Sequence, residues 1–169
     1  ANRKAFAGFG DPWFSAEQMA EAKAEAATQQ VAQLTTRGIQ TRGVKLVRRN
    51  APTTATVDSA ELAMLPRLPD TADEVKGIAL ALNADPSDVI LGAAANEKTV
   101  KTMDLSNRRV VMFATHGLIP GDLNGLTQPA LALSAPNVAD VDGDGLLTLD
   151  EVLGLKLNAD WVVLSACNT

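Results

Sequence analysis

The residues of this chain best suited to nucleophilic chemistry are one histidine and one cysteine. His116 and Cys167 are the only residues of their types in the 169-residue sequence. Each ends a short apolar run rich in valine, a pattern typical of strands buried on both faces of a parallel sheet. Because ligands bind beyond the carboxyl ends of such strands, we predict that the two residues meet at one site. There the imidazole would deprotonate the thiol, which attacks carbonyl groups as a thiolate.

The same two residues also allow a purely structural interpretation. A lone cysteine at the end of an apolar strand is commonly an inert buried thiol, and a lone histidine commonly has a structural role. The sequence offers no third catalytic residue, because no Asp or Asn is fixed by a motif. Spacing and strand context therefore leave both interpretations open.

Short motifs around these residues resemble the signature blocks of a known family. Residues 114–117 read Ala-Thr-His-Gly, and residues 164–169 read Leu-Ser-Ala-Cys-Asn-Thr. They resemble the CHAT domain, a bacterial branch of the caspase-like cysteine peptidases that includes separase relatives. The separation of 167 − 116 = 51 positions is also close to the spacing of about 50 known from caspases. Further matching segments follow the family order at residues 9–12, 65–69, 128–134 and 144–148.

The resemblance implies a fold and a domain organisation. The expected fold is an α/β caspase-like three-layer sandwich, with helices on both faces of a mainly parallel sheet. Residues 1–169 would form a single partial CHAT domain, equivalent to a caspase large subunit and weakly active as a fragment. Its expected partners are a peptide or protein substrate, a downstream segment of the same domain, and tetratricopeptide repeats in the parent protein.

The resemblance also implies how the site would act. His116 would be the general base and Cys167 the nucleophile, and the backbone N–H groups of Gly117 and Cys167 would bind the oxyanion. Catalysis would need no cofactor, and the activity would be that of a cysteine endopeptidase. The rival function is a catalytically silent interaction module of the same fold, which could respond to calcium.

A second candidate site lies in the acidic segment at residues 140–151. It matches the twelve-residue calcium loop at positions 1, 3, 5, 6, 9 and 12. The segment before the loop is expected to be the end of a strand and a turn rather than a helix. Only an outgoing helix is expected, at about Thr148 to Leu153. The alternative is a solvated acidic turn before that helix. The predicted Ca²⁺ ligands are Asp140, Asp142, Asp144, Leu146, Thr148 and Glu151.

The rest of the chain alternates predicted strands and helices, which indicates crossover units and a mainly parallel sheet. The first helix is expected to bury a stripe made of Ala20, Ala24, Ala27, Val31 and Leu34. In chain order we predict a strand at residues 4–9, a helix from a Ser15–Gln18 capping box to about Thr35, a helix from Asp70 with a Thr71–Glu74 capping box, a strand at 88–91, a short helix capped by Asn96, the histidine strand from about Arg109, and a strand at 129–133.

Composition and charge restrict the possible partners. A net charge of −5 and a pI near 4.8 argue against a surface that binds nucleic acid. No apolar run approaches the ~20 residues of a membrane helix, so no membrane partner is expected. One cysteine cannot form an internal disulfide, and we expect a cytoplasmic protein. Residues 36–58 are basic and irregular, which indicates either a mobile loop or a patch for an anionic partner.

Overall fold

A computed structural model describes the protein over residues 2–35 and 59–165. The predicted loop at residues 36–58 and the predicted nucleophile Cys167 lie outside these residues. The strands are β1 (Lys4–Gly10), β2 (Val89–Leu91), β3 (Arg108–Ala114), β4 (Gly117–Leu118), β5 (Ala130–Ala132), β6 (Leu146–Thr148) and β7 (Trp161–Leu164). The α-helices are α1 (Ala16–Thr35), α2 (Ser59–Leu62), α3 (Asp70–Ala81), α4 (Glu97–Thr102), α5 (Pro136–Ala139) and α6 (Leu149–Gly154).

The centre of the fold is a four-stranded parallel sheet in the order β2-β1-β3-β7. Phe9 of β1 is in register with Phe113 of β3. Their rings stack at a centroid distance of 5.1 Å, and both are almost fully buried. Burial of such a side chain contributes about 1.5–3 kcal/mol to stability. The two central strands therefore confirm the prediction of a parallel sheet with apolar strands at its core.

The two faces of this sheet carry different layers. Helix α3 covers one face, where Val75 packs against Phe6 and Met112. Gly8 allows this close approach, because a Cβ added there would lie 2.6 Å from Val75 and closer still to Phe6. Helix α4 and a second, smaller sheet cover the other face, with Val100 in the same cluster as the stacked phenylalanines. This confirms the α/β, caspase-like arrangement of layers.

The smaller sheet was not predicted from the sequence. It is antiparallel, in the order β4-β5-β6, and it begins at Gly117, directly after the histidine. For this region the sequence predicted only a single strand, at residues 129–133. Strands of two or three residues are too short to show alternating hydrophobicity, which explains why β4 and β6 were missed.

Strand β7 differs from its prediction, since it is exposed rather than buried on both faces. Trp161 is 70% exposed and Val163 is 37% exposed. The reason is its place at the sheet edge, where β3 is its one hydrogen-bonded neighbour among the described strands. The apolar run is nevertheless a strand, as predicted, and it continues the parallel ladder of β3.

Helix α1 buries a different face from the one predicted. Ala20, Ala24 and Ala27 of the predicted inner stripe of α1 are exposed, whereas Ala22 is buried. Alanine occurs on nearly every side of this helix, so its periodicity does not define a face.

No helix in the described part of the chain is both long and apolar enough to span a membrane.

Helix α3 lacks the predicted capping box. The residue before it, Pro69, has no capping side chain. The Thr71 hydroxyl instead donates to the Leu68 carbonyl and accepts the Asp11 N–H, and the Glu74 carboxylate binds Ser165. Both side chains of the predicted capping box, Thr71 and Glu74, therefore bind other partners. By contrast, the Asn96 side chain caps α4 as predicted, through the Thr99 N–H.

Candidate functional site

His116 lies just beyond the carboxyl end of β3, and its backbone is fixed by the smaller sheet. The His116 carbonyl accepts the Ala132 N–H at 3.0 Å. The buried Thr115 hydroxyl donates to the Ala132 carbonyl at 2.6 Å. One residue of β5 therefore binds both the side chain of Thr115 and the backbone carbonyl of His116. This leaves the half-buried imidazole at the sheet end where the sequence predicted a site.

Among the described residues, the imidazole has one hydrogen-bond partner, and this partner indicates which ring nitrogen carries the proton. Its Nε2 lies 2.8 Å from the carbonyl oxygen of Pro66. Because a carbonyl can only accept, the proton of a neutral His116 belongs on Nε2, and Nδ1 keeps a lone pair. The ring also packs beside Phe14 at a centroid distance of 5.7 Å. The arrangement thus prepares Nδ1 to act as a base.

The segment that carries the Pro66 carbonyl is held along its length. The Gln18 side chain donates to the Leu65 carbonyl at 2.7 Å, and the Thr71 hydroxyl donates to the Leu68 carbonyl at 2.6 Å. Sequence reasoning missed this partner of the histidine, because any residue type can present a carbonyl. The matched block at residues 65–69 was the one signal that could have pointed to it.

The strand that leads to the cysteine is described up to Ser165. Leu164 is in register with Phe113, and the Ser165 N–H donates to the Phe113 carbonyl at 2.9 Å. Cys167 lies beyond these residues, so its approach to His116 and its backbone donor remain predictions. Gly117 is in register with Leu131 at the start of β4. Its role as an oxyanion donor also remains a prediction.

The acidic segment at residues 140–151 contains a turn, strand β6 and the start of α6. The buried Glu97 carboxylate reaches into it and accepts the N–H groups of Asp144 and Gly145, at 2.8 and 2.7 Å. Glu151 accepts both the N–H and the hydroxyl of Thr148, at 2.9 and 3.1 Å. These bonds stabilise the segment through its own protein groups.

A lysine ammonium occupies the space between two of these carboxylates. Lys101 Nζ lies 2.8 Å from Glu97 and 2.6 Å from Glu151. Within the described residues, no three or more His, Cys, Asp or Glu side chains are grouped to hold a metal. The arrangement does not fit a calcium loop as it stands, because Glu151 is directed at Lys101 and Thr148. Calcium binding stays a prediction that requires Glu151 to leave these partners.

The charges of this cluster shift its titration. Although burial opposes it, hydrogen bonds from Lys101 and Thr148 hold the pKa of Glu151 below its ordinary value. Burial and the nearby carboxylates of Glu97 and Glu151 raise the pKa of Asp144. The loop therefore contains carboxyl groups with opposite pKa shifts.

Comparison with known proteins identifies the family. The sequence profile of the CHAT domain matches residues 11–169. No curated protein and no solved structure matches the chain. Since the profile covers all but the first ten residues, the protein belongs to the CHAT domain family, which is caspase-like and peptidase-like.

Proposed function

We propose that this protein is a cysteine peptidase domain that hydrolyses peptide bonds with His116 and Cys167. The observation that carries the proposal is the 2.8 Å contact between Nε2 of His116 and the Pro66 carbonyl. It fixes the ring and directs the proton to Nε2, so that Nδ1 is available as a base. A general base requires a ring held in one orientation with one nitrogen able to accept a proton, and this contact supplies the first condition.

The strand register supports a meeting of His116 and Cys167. Phe113 and Leu164 are paired in neighbouring parallel strands. His116 follows the first by 116 − 113 = 3 residues, and Cys167 follows the second by 167 − 164 = 3 residues. Cys167 is also two residues beyond Ser165, and two residues of chain reach at most ~7 Å. The register therefore supports the proposal that the cysteine belongs to the same end of the sheet as the histidine.

The proposed reaction begins with proton transfer from the Cys167 sulfur to Nδ1 of His116. The thiolate attacks the carbonyl carbon, and the electron pair of the C=O bond moves to oxygen. The N–H groups of Gly117 and Cys167 would stabilise that oxyanion. His116 then protonates the leaving amine as the C–N bond breaks. Water then attacks the acyl carbon as its proton passes to Nδ1. The C–S bond breaks as the C=O bond re-forms, and the Nδ1 proton returns to sulfur, which releases the carboxylic acid and the free thiol.

The Pro66 carbonyl has a role at each protonation change. It accepts the Nε2–H bond when the ring is neutral and when it is an imidazolium. An acceptor of this kind stabilises the charged ring more than the neutral ring, because charge-assisted hydrogen bonds are stronger. This favours the thiolate–imidazolium pair over the neutral pair. An ordinary cysteine, with a pKa near ~8.5, is only partly ionised at neutral pH.

The rate of alkylation by iodoacetamide tests the proposal. Because Cys167 is the only cysteine, every adduct reports on it. At pH 7 we expect the native protein to react at least about tenfold faster than the same protein in denaturant, as for a thiol of lowered pKa. His116→Ala should remove the difference. Equal rates for the native, denatured and His116→Ala proteins would contradict the dyad.

An interaction module is the second candidate function, and the exposure of β7 favours it. Trp161, Val162 and Leu164 present apolar surface at the edge of the sheet, which is typical of a binding surface. The same surface supports the expectation that a further segment of the domain covers β7. The alkylation rates separate the two functions, since the thiol of a catalytically silent module is expected to react like that of an ordinary cysteine.

The proposed chemistry supports a substrate class and a location. A nucleophile that attacks amide carbonyls is suited to peptide or protein substrates. A catalytic thiol must also stay reduced, which supports a cytoplasmic protein.

A further inference from the structure

The Pro66 carbonyl needs support from outside its own segment. Residues 66–68 have no regular secondary structure, so no helix or strand ladder fixes them. A carbonyl that orients a catalytic base must keep its position to within about 0.5 Å and its direction to within about 10–20°. The side chains bound to this segment are therefore candidates for a role at the site.

Arg67 makes the strongest of these contacts. Its Nε and Nη2 donate to the two carboxylate oxygens of Asp11, each at 2.9 Å. Its Nη1 donates to Glu25 of α1 at 2.7 Å. The side chains of Arg67 and Asp11 are only 13% and 8% exposed. Two parallel hydrogen bonds from a planar guanidinium fix direction as well as distance, which a lysine cannot reproduce.

Asp11 is itself held rigidly. It follows β1 with a backbone φ of +44°, a conformation that non-glycine residues seldom adopt. Its N–H donates to the Thr71 hydroxyl at 2.8 Å. The carboxylate that receives Arg67 is thus anchored to the end of a central strand and to the start of α3. Arg67 is bound to a fixed point of the fold.

The peptide bond transmits this constraint to the histidine. The Pro66 carbonyl and the Arg67 nitrogen belong to one planar unit. The position of Arg67 therefore determines the direction in which the Pro66 carbonyl points. A change in that direction would weaken the hydrogen bond to Nε2 of His116 and the preference for the Nε2–H tautomer.

We propose that Arg67 and Asp11 are positioning residues for His116, acting through the Pro66 carbonyl. The pair does not touch the reacting atoms. The inference rests on the proposed function only in assigning the base to Cys167, because the tautomer of His116 can be measured without any reaction.

Nitrogen-15 NMR of the imidazole tests the proposal, and the only histidine gives unambiguous signals. At about pH 8, above the ordinary histidine pKa of ~6.5, the unaltered protein should show the Nε2–H tautomer. Arg67→Lys keeps the charge but loses the two-point contact, and Asp11→Asn removes the partner charge. Both should give a mixture of tautomers.

A matched control lies at the start of β3, at the opposite end of this strand from His116. Arg108 binds Asp88 at 2.9 Å, and these side chains are 7% and 4% exposed. Arg108→Lys disturbs a comparable buried ion pair far from His116, so it should keep the Nε2–H tautomer. Cys167 alkylation should slow at least about fivefold in Arg67→Lys and change little in Arg108→Lys.

Three results would overturn the proposal. One is an unchanged Nε2–H tautomer in folded Arg67→Lys and Asp11→Asn. Another is an equal tautomer change in Arg108→Lys, which would indicate general loosening. The third concerns the case in which Asp11→Asn does not fold. An unchanged Nε2–H tautomer in Arg67→Lys would then be enough to refute the proposal. Alkylation that never depends on His116 would instead refute the proposed function, and the NMR result would still stand.

Discussion

The carboxylate of Glu74 accepts the hydroxyl hydrogen of Ser165, with oxygen distances of 2.9 and 3.1 Å. This bond joins the first turns of α3 to the residue after β7. It lies on the chain that leads to Cys167, two residues further on. The bond gives the exposed end of this edge strand an attachment outside the sheet.

Removing that bond should loosen the end of β7 without unfolding the protein. Because the pair is exposed, Ser165→Ala should lower the free energy of unfolding by less than about 1 kcal/mol. Hydrogen exchange of the amides at residues 162–165 should nevertheless accelerate, since local openings govern exchange there. Lys76→Ala, on the exposed face of the same helix, is the control. Unchanged exchange in Ser165→Ala would show that the sheet alone holds β7.

The buried Arg108–Asp88 pair should be important for stability. Arg108→Met leaves the Asp88 carboxylate buried, with Lys4 at 3.5 Å as its remaining ionic partner. We expect a loss of about 3 kcal/mol in the free energy of unfolding, measured by urea denaturation. Arg109→Met, the next residue, breaks an exposed pair with Asp160 and should cost less than about 1 kcal/mol. Similar losses for both variants would argue against the buried pair as the cause.

Acid should selectively weaken the contribution of Glu151. Its pKa is lowered in the folded protein, so its stabilising effect is complete above the ordinary glutamate pKa of ~4.3 and is lost as the pH falls through the folded value. Glu151→Gln should therefore lower the melting temperature at pH 7 but match the unaltered protein near pH 2. The exposed Asp142→Asn is the control. A Glu151→Gln deficit of equal size at both pH values would contradict this linkage.

The predicted calcium binding at residues 140–151 should depend on the ammonium of Lys101. Millimolar calcium is expected to raise the melting temperature, because a ligand bound only to the folded state stabilises it. The rise should be larger in Lys101→Met, which frees Glu97 and Glu151 from their shared cation. Asp142→Ala should abolish it. Titration calorimetry without heat in both the unaltered and Lys101→Met proteins would leave the acidic turn as the sole interpretation.

What the sequence predicted was largely what local patterns determine. The apolar runs of β1 and β3 and the Asn96 cap have signals within a few residues, and all three were confirmed. The partner of His116 was not predicted, because a backbone carbonyl has no residue signature and Pro66 lies 116 − 66 = 50 positions away. The exposure of β7 likewise depends on strand order, which a single apolar run does not encode.

The most direct test of the central claim is the capture of an acyl-enzyme on Cys167. The protein would be mixed with activated peptide esters and followed by intact-mass spectrometry, with peptide mapping of the adduct. We expect one acyl group on Cys167, none in Cys167→Ser at that site, and acylation about a hundredfold slower in His116→Ala, as for the loss of a general base. Acylation of Cys167 at the same rate with and without His116 would contradict the account.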